Sequence, residues 1–118
     1  MKQRVHNLSY LAITAIALKD LSDNDAIAFP QGAEIFNVSL EVEEAGDVGL
    51  NANLGIVGSE DLFANDIDLS QKAHHTSSVK HTCKDKGVIK ITLSKPATKG
   101  KVVIRALYFL PSTILAEY

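Results

Sequence analysis

A chain of 118 residues with net charge −2, 46% apolar and 22% charged residues has values ordinary for a globular protein and fits one domain, residues 1–118. One cysteine, Cys83, excludes an internal disulfide, and without a CxxC pair there is no thiolate zinc motif, no dithiol redox motif and, with no run of about 20 apolar residues, no spanning helix. At this length roughly 65 to 70% of the unfolded surface can be buried, so the fold needs no staple and no cofactor.

Lys2 and Arg4 precede an apolar run, Leu11 to Leu18, and Ala15-Ile16-Ala17 has the small-residue character of a cleavage site, the ingredients of a secretory leader. The run is short and Thr14 interrupts it. The expectation is a first strand or a short buried helix, because Tyr10, Ala12, Thr14, Ile16 and Leu18 alternate with Leu11, Ile13, Ala15 and Ala17 and both sets are mostly apolar. Turn clusters at Ser22-Asp23-Asn24-Asp25 and Phe29-Pro30-Gln31-Gly32 bracket a short segment, Ala26 to Phe29. Next, Phe36, Val38, Leu40 and Val42 alternate with Asn37, Ser39, Glu41 and Glu43, which predicts a half-buried strand with a wet face. Gly46-Asp47-Val48-Gly49 then turns the chain into Leu50, Ala52, Leu54 and Ile56, read as the hairpin partner and ending at Gly58-Ser59.

From Glu60 to Lys86 the pattern is weak, with a short strand expected around Ile67 to Gln71 and a polar loop at His74 to Ser78. Alternation returns with Ile89, Ile91 and Leu93 inward against Lys90, Thr92 and Ser94, and Pro96 to Gly100 closes that strand. In the last strand Val102, Ile104, Ala106, Tyr108 and Leu110 form one face and Val103, Arg105, Leu107 and Phe109 the other. A strand apolar on both sides is central in a sheet or covered by a partner chain; Pro111 ends it. Short strands, turn signals every eight to twelve residues or so, and no amphipathic helix beyond two turns predict an all-β fold: a two-sheet β-sandwich, jelly-roll-like, of about eight strands. Residues 1–9 are read as an N-terminal arm.

Charge is segregated along the chain. Residues 1–70 hold three bases against twelve acids, net −9, and residues 71–118 hold nine bases against two acids, net +7. On separate surfaces the two halves would favour heterologous contacts closing into a ring; interleaved by sheet pairing, they would cancel within one molecule. The scattered lysines lack interleaved exposed aromatics, so no nucleic-acid partner is expected, and no membrane.

His74, His75, His81 and Cys83 fall within ten residues, the sharpest hint of chemistry. Adjacent histidines on a strand point to opposite faces, and His81 with Cys83 supplies only two ligands, so no metal site is expected. The imidazoles would charge below about pH 6.5, making the loop a candidate pH-responsive element. Cys83 as a nucleophile with His81 as base lacks a third orienting group, and Glu41 with Glu43, about 7 Å apart on a strand, sit on a wet face where glycosidase chemistry is implausible. No catalytic residues and no cofactor are assigned. An enzyme would need a pocket lined by His81, Cys83 and a carboxylate.

Phe29-Pro30-Gln31-Gly32-Ala33-Glu34-Ile35, the strand to Val42, Glu44-Ala45-Gly46-Asp47 and Leu54-Gly55-Ile56-Val57-Gly58 with Asp61-Leu62-Phe63 resemble small all-β virion proteins of tailed bacteriophages. Thr98-Lys99-Gly100-Lys101-Val102-Val103-Ile104 and Tyr108 resemble their closing strand. The likeness covers roughly residues 26–63 and 87–109. It implies a jelly-roll capsid decoration, or cement, protein, commonly trimeric, bound to the major capsid protein where capsomers meet on the outer surface of a virion assembled in the host cytoplasm. The family has no binding motif to carry over. Candidate contact residues therefore come from the arm (Lys2, Arg4), the unmatched loop (His74, His75, Lys80, His81) and the closing strand (Arg105, Tyr108). Another phage head or tail component, or a secreted carbohydrate-binding β-sandwich module, is the alternative; with no Trp and only seven Phe and Tyr, the carbohydrate module is the less favoured.

Overall fold

The computed structural model describes the backbone of residues 2–6, 9–21, 25–110 and 113–117, and the side chains of residues 9–21 and 26–110. The Ser22-Asp23-Asn24 turn and the Pro111 terminator lie outside the described residues.

The apolar run near the start is a strand, β2 (Ser9–Ala17), following β1 (Lys2–His6). A 3-10 turn at Leu18–Asp20 ends it and leads to β3 (Asp25–Phe29). Then come β4 (Glu34–Glu44), β5 (Asn51–Ile56), β6 (Ser59–Asp68), β7 (His74–Ser77) and β8 (His81–Thr82). The chain finishes with β9 (Gly87–Leu93), β10 (Lys101–Phe109) and β11 (Thr113–Glu117).

Two antiparallel sheets form the body: β2-β10-β4-β7, with β8 also paired to β4, and β3-β9-β5-β6. Apart from the β5–β6 pair and the β7–β8 pair, successive strands of the body alternate between the sheets, the doubly wound order of a jelly roll. The fold class read from turn spacing is thus the one observed. β1 and β11 pair with each other over Lys2↔Glu117 to His6↔Thr113 and with neither large sheet.

Alternation decides which side chains meet between the sheets. Val38, Leu40 and Val42 from β4, Leu54 from β5, Ile89 and Ile91 from β9, and Val102, Ile104 and Ala106 from β10 are all buried. Burying each such Leu, Ile or Val contributes about 1.5 to 3 kcal/mol. At the end distant from the termini, Leu18, Leu50 and Leu69 plug the sandwich. Backbone bonds tie the loops there: Leu18 N–H donates to Gly100 O (3.0 Å), Gly46 N–H to Leu69 O (2.7 Å) and Leu69 N–H to Leu50 O (3.0 Å). Gly100 adopts φ +110, and a Cβ there would come within 2.8 Å of Gly46 Cα, so glycine is required on both counts.

Four expectations change. Phe36 is exposed rather than inward, and Ile35 is buried in its place. Tyr108 pairs with Ile35 and Leu107 with Asn37, so residue 36 is the extra residue of a bulge. Leu50 to Ile56 is not a hairpin partner of β4: β5 pairs with β6 and β9 in the opposite sheet. Asp47 holds that crossing, accepting from Thr98 N–H at 2.7 Å. The polar stretch His74 to Ser78 is largely a strand, since β7 pairs with β4 over Val38↔Ser77 to Glu41↔His74. Of the short strand expected around Ile67 to Gln71, only Ile67 and Asp68 are strand, the tail of the ten-residue β6, whose apolar rhythm is broken by register shifts and by Asp66 at φ 57.

Candidate interaction surface

The outward face of the β2-β10-β4-β7 sheet is built from cross-strand rows. Leu11 lies beside Leu107 and Asn37; Ile13 beside Arg105, Ser39 and Thr76; Ala15 beside Val103, Glu41 and His74. Its β2 side is apolar and unusually open for large side chains: Leu11 is 57% and Ile13 58% exposed, with Phe36 at 44%. A shallow groove of about 440 Å³ runs between Leu11, Phe36, Asn37, Ser39, Arg105 and Leu107.

The bulge in β4 places the Phe36 ring here, edge-on to Phe109 with centroids 6.1 Å apart. Lys80 Nζ sits 4.3 Å from the Phe36 centroid, a cation–π contact, and also donates to Ser78 O at 3.1 Å. Across the face, Arg105 Nη1 donates to Glu41 Oε1 at 2.8 Å. That hydrogen bond holds the Glu41 carboxyl below its ordinary value, against the opposing effect of burial. Lys101 and Glu43 form a looser pair at 3.6 Å. Both pairs join the basic half of the sequence to the acidic half, so at β4 and β10 the segregated charge cancels within one chain.

The sequence candidates divide accordingly. Arg105, Lys80 and His74 belong to or border this outward face. His75 pairs with Leu40 and His81 with Ile35, residues of the buried face, and Tyr108 does so as well. The Nε2 of His75 is buried without a hydrogen-bond partner among the described residues. Tyr108 stacks on Tyr10 (5.7 Å) and meets Phe29 of the other sheet edge-on (4.9 Å), a joint between the layers. Lys2 and Arg4 lie on β1, in the ribbon outside both sheets. Leu11, Ile13 and Phe36 escaped the list of candidates; the two-sided apolar run from Leu11 was the signal for the first two, whereas a bulge leaves no mark in alternation.

His81, Cys83 and Asp85 do line one small dent of about 160 Å³, with Ile56 and Gly87 among its other walls. Its chemistry is unsuited to nucleophilic attack. Cys83 is buried, and burial, followed by the charge of Glu34, pushes its thiol up rather than down. A Cβ on Gly87 would approach Cys83 Sγ to 2.5 Å, so the sulfur fills a packing niche. Among the described residues no three of His, Cys, Asp and Glu gather as metal ligands.

No family model matches the chain, and no curated protein matches it. Among solved structures, one described as "Acidic stable capsid structure of Helicobacter pylori bacteriophage KHP30" contains a chain 34% identical, with 100% of both chains covered and a TM-score of 0.79. The chain belongs to this family of small all-β bacteriophage capsid proteins. A chain of the cyanophage Pam1 capsid asymmetric unit (16% identity, TM-score 0.70, covering 90% of this chain and 87% of that one) has the same fold. So does a chain of the capsid of Ralstonia phage GP4 (13%, 0.62, covering 93% and 88%). For the capsid protein, the groove and the exposed apolar row are therefore surfaces to weigh as contacts between proteins rather than as a substrate pocket.

Proposed function

We propose that this capsid protein is a decoration, or cement, protein that binds the outside of the assembled shell where capsomers meet, as a trimer, with the major capsid protein as its partner. The observation that carries this reading is the full-length match to a chain of a phage capsid. A jelly roll with an open apolar face and a terminal ribbon outside the sandwich is a body equipped for contacts rather than chemistry. The mechanism is linkage: a ligand that binds only the closed shell stabilises it by RT ln(1 + [L]/Kd), about 2.7 kcal/mol at a hundredfold excess over Kd. Three linked copies multiply that affinity, because the second and third contacts form at high effective concentration.

The test is to add the purified chain to shells that lack it, measure retention by sedimentation and follow the melting of the shells. Retention with a raised melting temperature is the expected result; shells that neither hold the chain nor gain stability would overturn the reading. Light scattering on the free chain addresses the trimer separately. A monomer at every concentration would leave decoration standing and remove the three-fold assembly in solution.

A further inference from the structure

A second groove lies on the opposite sheet, away from the apolar face. It holds about 340 Å³ and is lined mainly by Asn51, Asn53, Asn65, Asp66, Thr92 and Ser94. Alternation supplies most of this row: Ala52, Leu54 and Ile91 are buried, so Asn51, Asn53, Thr92 and Ser94 turn outward, with Asn53 directly opposite Thr92. Asp66 arrives differently. Ala52 pairs with Ile67 and Leu54 with Ala64, so Asn53 alone faces both Asn65 and Asp66, a bulge in β6.

Among the described residues Asp66, at φ 57, is the one non-glycine residue with positive φ. Two amides hold it there. Asn53 Oδ1 accepts from Asp66 N–H at 2.8 Å, and Asn51 Nδ2 donates to Asp66 Oδ1 at 2.9 Å, while Ser94 Oγ accepts from Asn51 N–H at 3.0 Å. A left-handed residue inside a strand costs stability, and such costs concentrate at sites that clamp a ligand. The network also leaves capacity over. Asn53 Nδ2, Asn51 Oδ1, the second oxygen of Asp66 and the Thr92 hydroxyl have no hydrogen-bond partner among the described residues. No lysine or arginine lines the groove, which disfavours a phosphate, and its single carboxylate is too little for a divalent cation. What fits donors and acceptors set side by side is a ligand whose groups each donate and accept, a polyol.

We infer that this groove binds a hexopyranose through two vicinal hydroxyls, one donating to the Asp66 carboxylate and its neighbour accepting from Asn53 Nδ2, with the Thr92 hydroxyl closing the site. The side chains are fixed by one another before the sugar arrives, so little freedom is lost on binding. No aromatic ring lines the groove to stack on the sugar, so a single saccharide binds weakly and avidity builds where many copies meet a polysaccharide. This inference goes beyond the decoration reading and does not rest on it.

Nuclear magnetic resonance of the isotope-labelled full-length chain tests it. The probes are the methyl α-glycosides of glucose, galactose and mannose, which between them present vicinal hydroxyls in diequatorial and axial–equatorial arrangements, with glycerol as the acyclic control. At least one glycoside is expected to shift the amide signals of Asn53, Asp66 and Thr92 saturably in the millimolar range, and glycerol is not. Asp66→Asn keeps a residue that tolerates the left-handed backbone and an oxygen toward Asn51, and Thr92→Val keeps the branched shape. Each should weaken binding about three- to tenfold while the rest of the spectrum stays in place. No saturable shift with any of the three glycosides, shifts shared equally with glycerol, or unaltered binding in both variants would overturn the inference. Sedimentation of the same variants with shells keeps the two readings apart. Both are expected to be retained as the unmodified chain is; a loss of retention would assign the groove to the shell protein and overturn the saccharide assignment.

Discussion

The two sheets present different outer faces to solvent. On the β3-β9-β5-β6 sheet, exposed polar groups are occupied with one another: Asn51 Nδ2 donates to Asp66 Oδ1 at 2.9 Å, Asp66 N–H to Asn53 Oδ1 at 2.8 Å, and Asn51 N–H to Ser94 Oγ at 3.0 Å. On the β2-β10-β4-β7 sheet the exposed positions nearest β2 are Leu11 and Ile13, with Phe36 beyond β10. One face is finished for water and the other is not. Since both belong to one small jelly roll, the difference is not a demand of the fold.

Substitutions can break that contrast. The largest loss is expected inside, where both sheets depend on β10: Ile104→Ala, at a fully buried position, should cost about 2 to 5 kcal/mol in denaturant unfolding. Gly55→Ala comes next, because a Cβ there overlaps the backbone of Ser59 and Glu60; a loss of about 1 to 3 kcal/mol is expected by the same measurement.

Acid should weaken both sheets together. Glu41, Asp47 and Asp68 are held below their ordinary values, first of all by hydrogen bonds from Arg105, Thr98 and Ser70 respectively. A carboxylate depressed in the folded state stabilises it above the unfolded value near 4, and that stability is lost as pH falls through the folded value. The thermal midpoint should therefore hold level down to about pH 5 and decline below about 4, with a shallower decline in Asp47→Asn. Smaller still is Asn53→Ala, which strips the acceptor from the Asp66 N–H and should cost about 1 kcal/mol. Ile13→Ser completes the series: unfolding free energy should move by less than about 0.5 kcal/mol, while association, followed by light scattering at high concentration, should fall. A large stability loss from Ile13→Ser would mean that the two faces are not different in kind.

Much of the fold was legible because strand alternation is a local property. Ile89 and Ile91, and Val102, Ile104 and Ala106, are buried as their spacing requires. What escaped depends on partners distant in sequence. Leu50 to Ile56 alternates as a hairpin strand would, and the bonds that accompany its crossing to the other sheet come from residues distant in sequence, Asp47 with Thr98, 51 residues away, and Gly46 with Leu69 among them. β6 was hidden because Asn51 and Asn53 support an irregular stretch at Asp66 that no neighbour in sequence reveals. Of the candidate surface, Arg105 and Lys80 are legible in the sequence as charged residues that the structure places on or beside the outward face, and the two-sided apolar strand from Leu11 marks its apolar row. His75 and His81 lie in a stretch whose sequence reads as a loop, and Tyr108 on a strand face that turns inward. Once β7 and β8 pair with β4, alternation assigns His75 and His81 to the core side.

The bulge at Phe36 has an evolutionary corollary. Elsewhere in a strand, losing one codon inverts every side chain on one flank, exchanging core for solvent. Position 36 is exempt, because Ile35 and Asn37 already face Tyr108 and Leu107, successive residues of β10. Deleting Phe36 would leave an ordinary strand with both flanks correctly oriented and only the aromatic missing from the surface. A single in-frame deletion or insertion there would let members of the family lose or acquire an anchor for lysine without redesigning the interior.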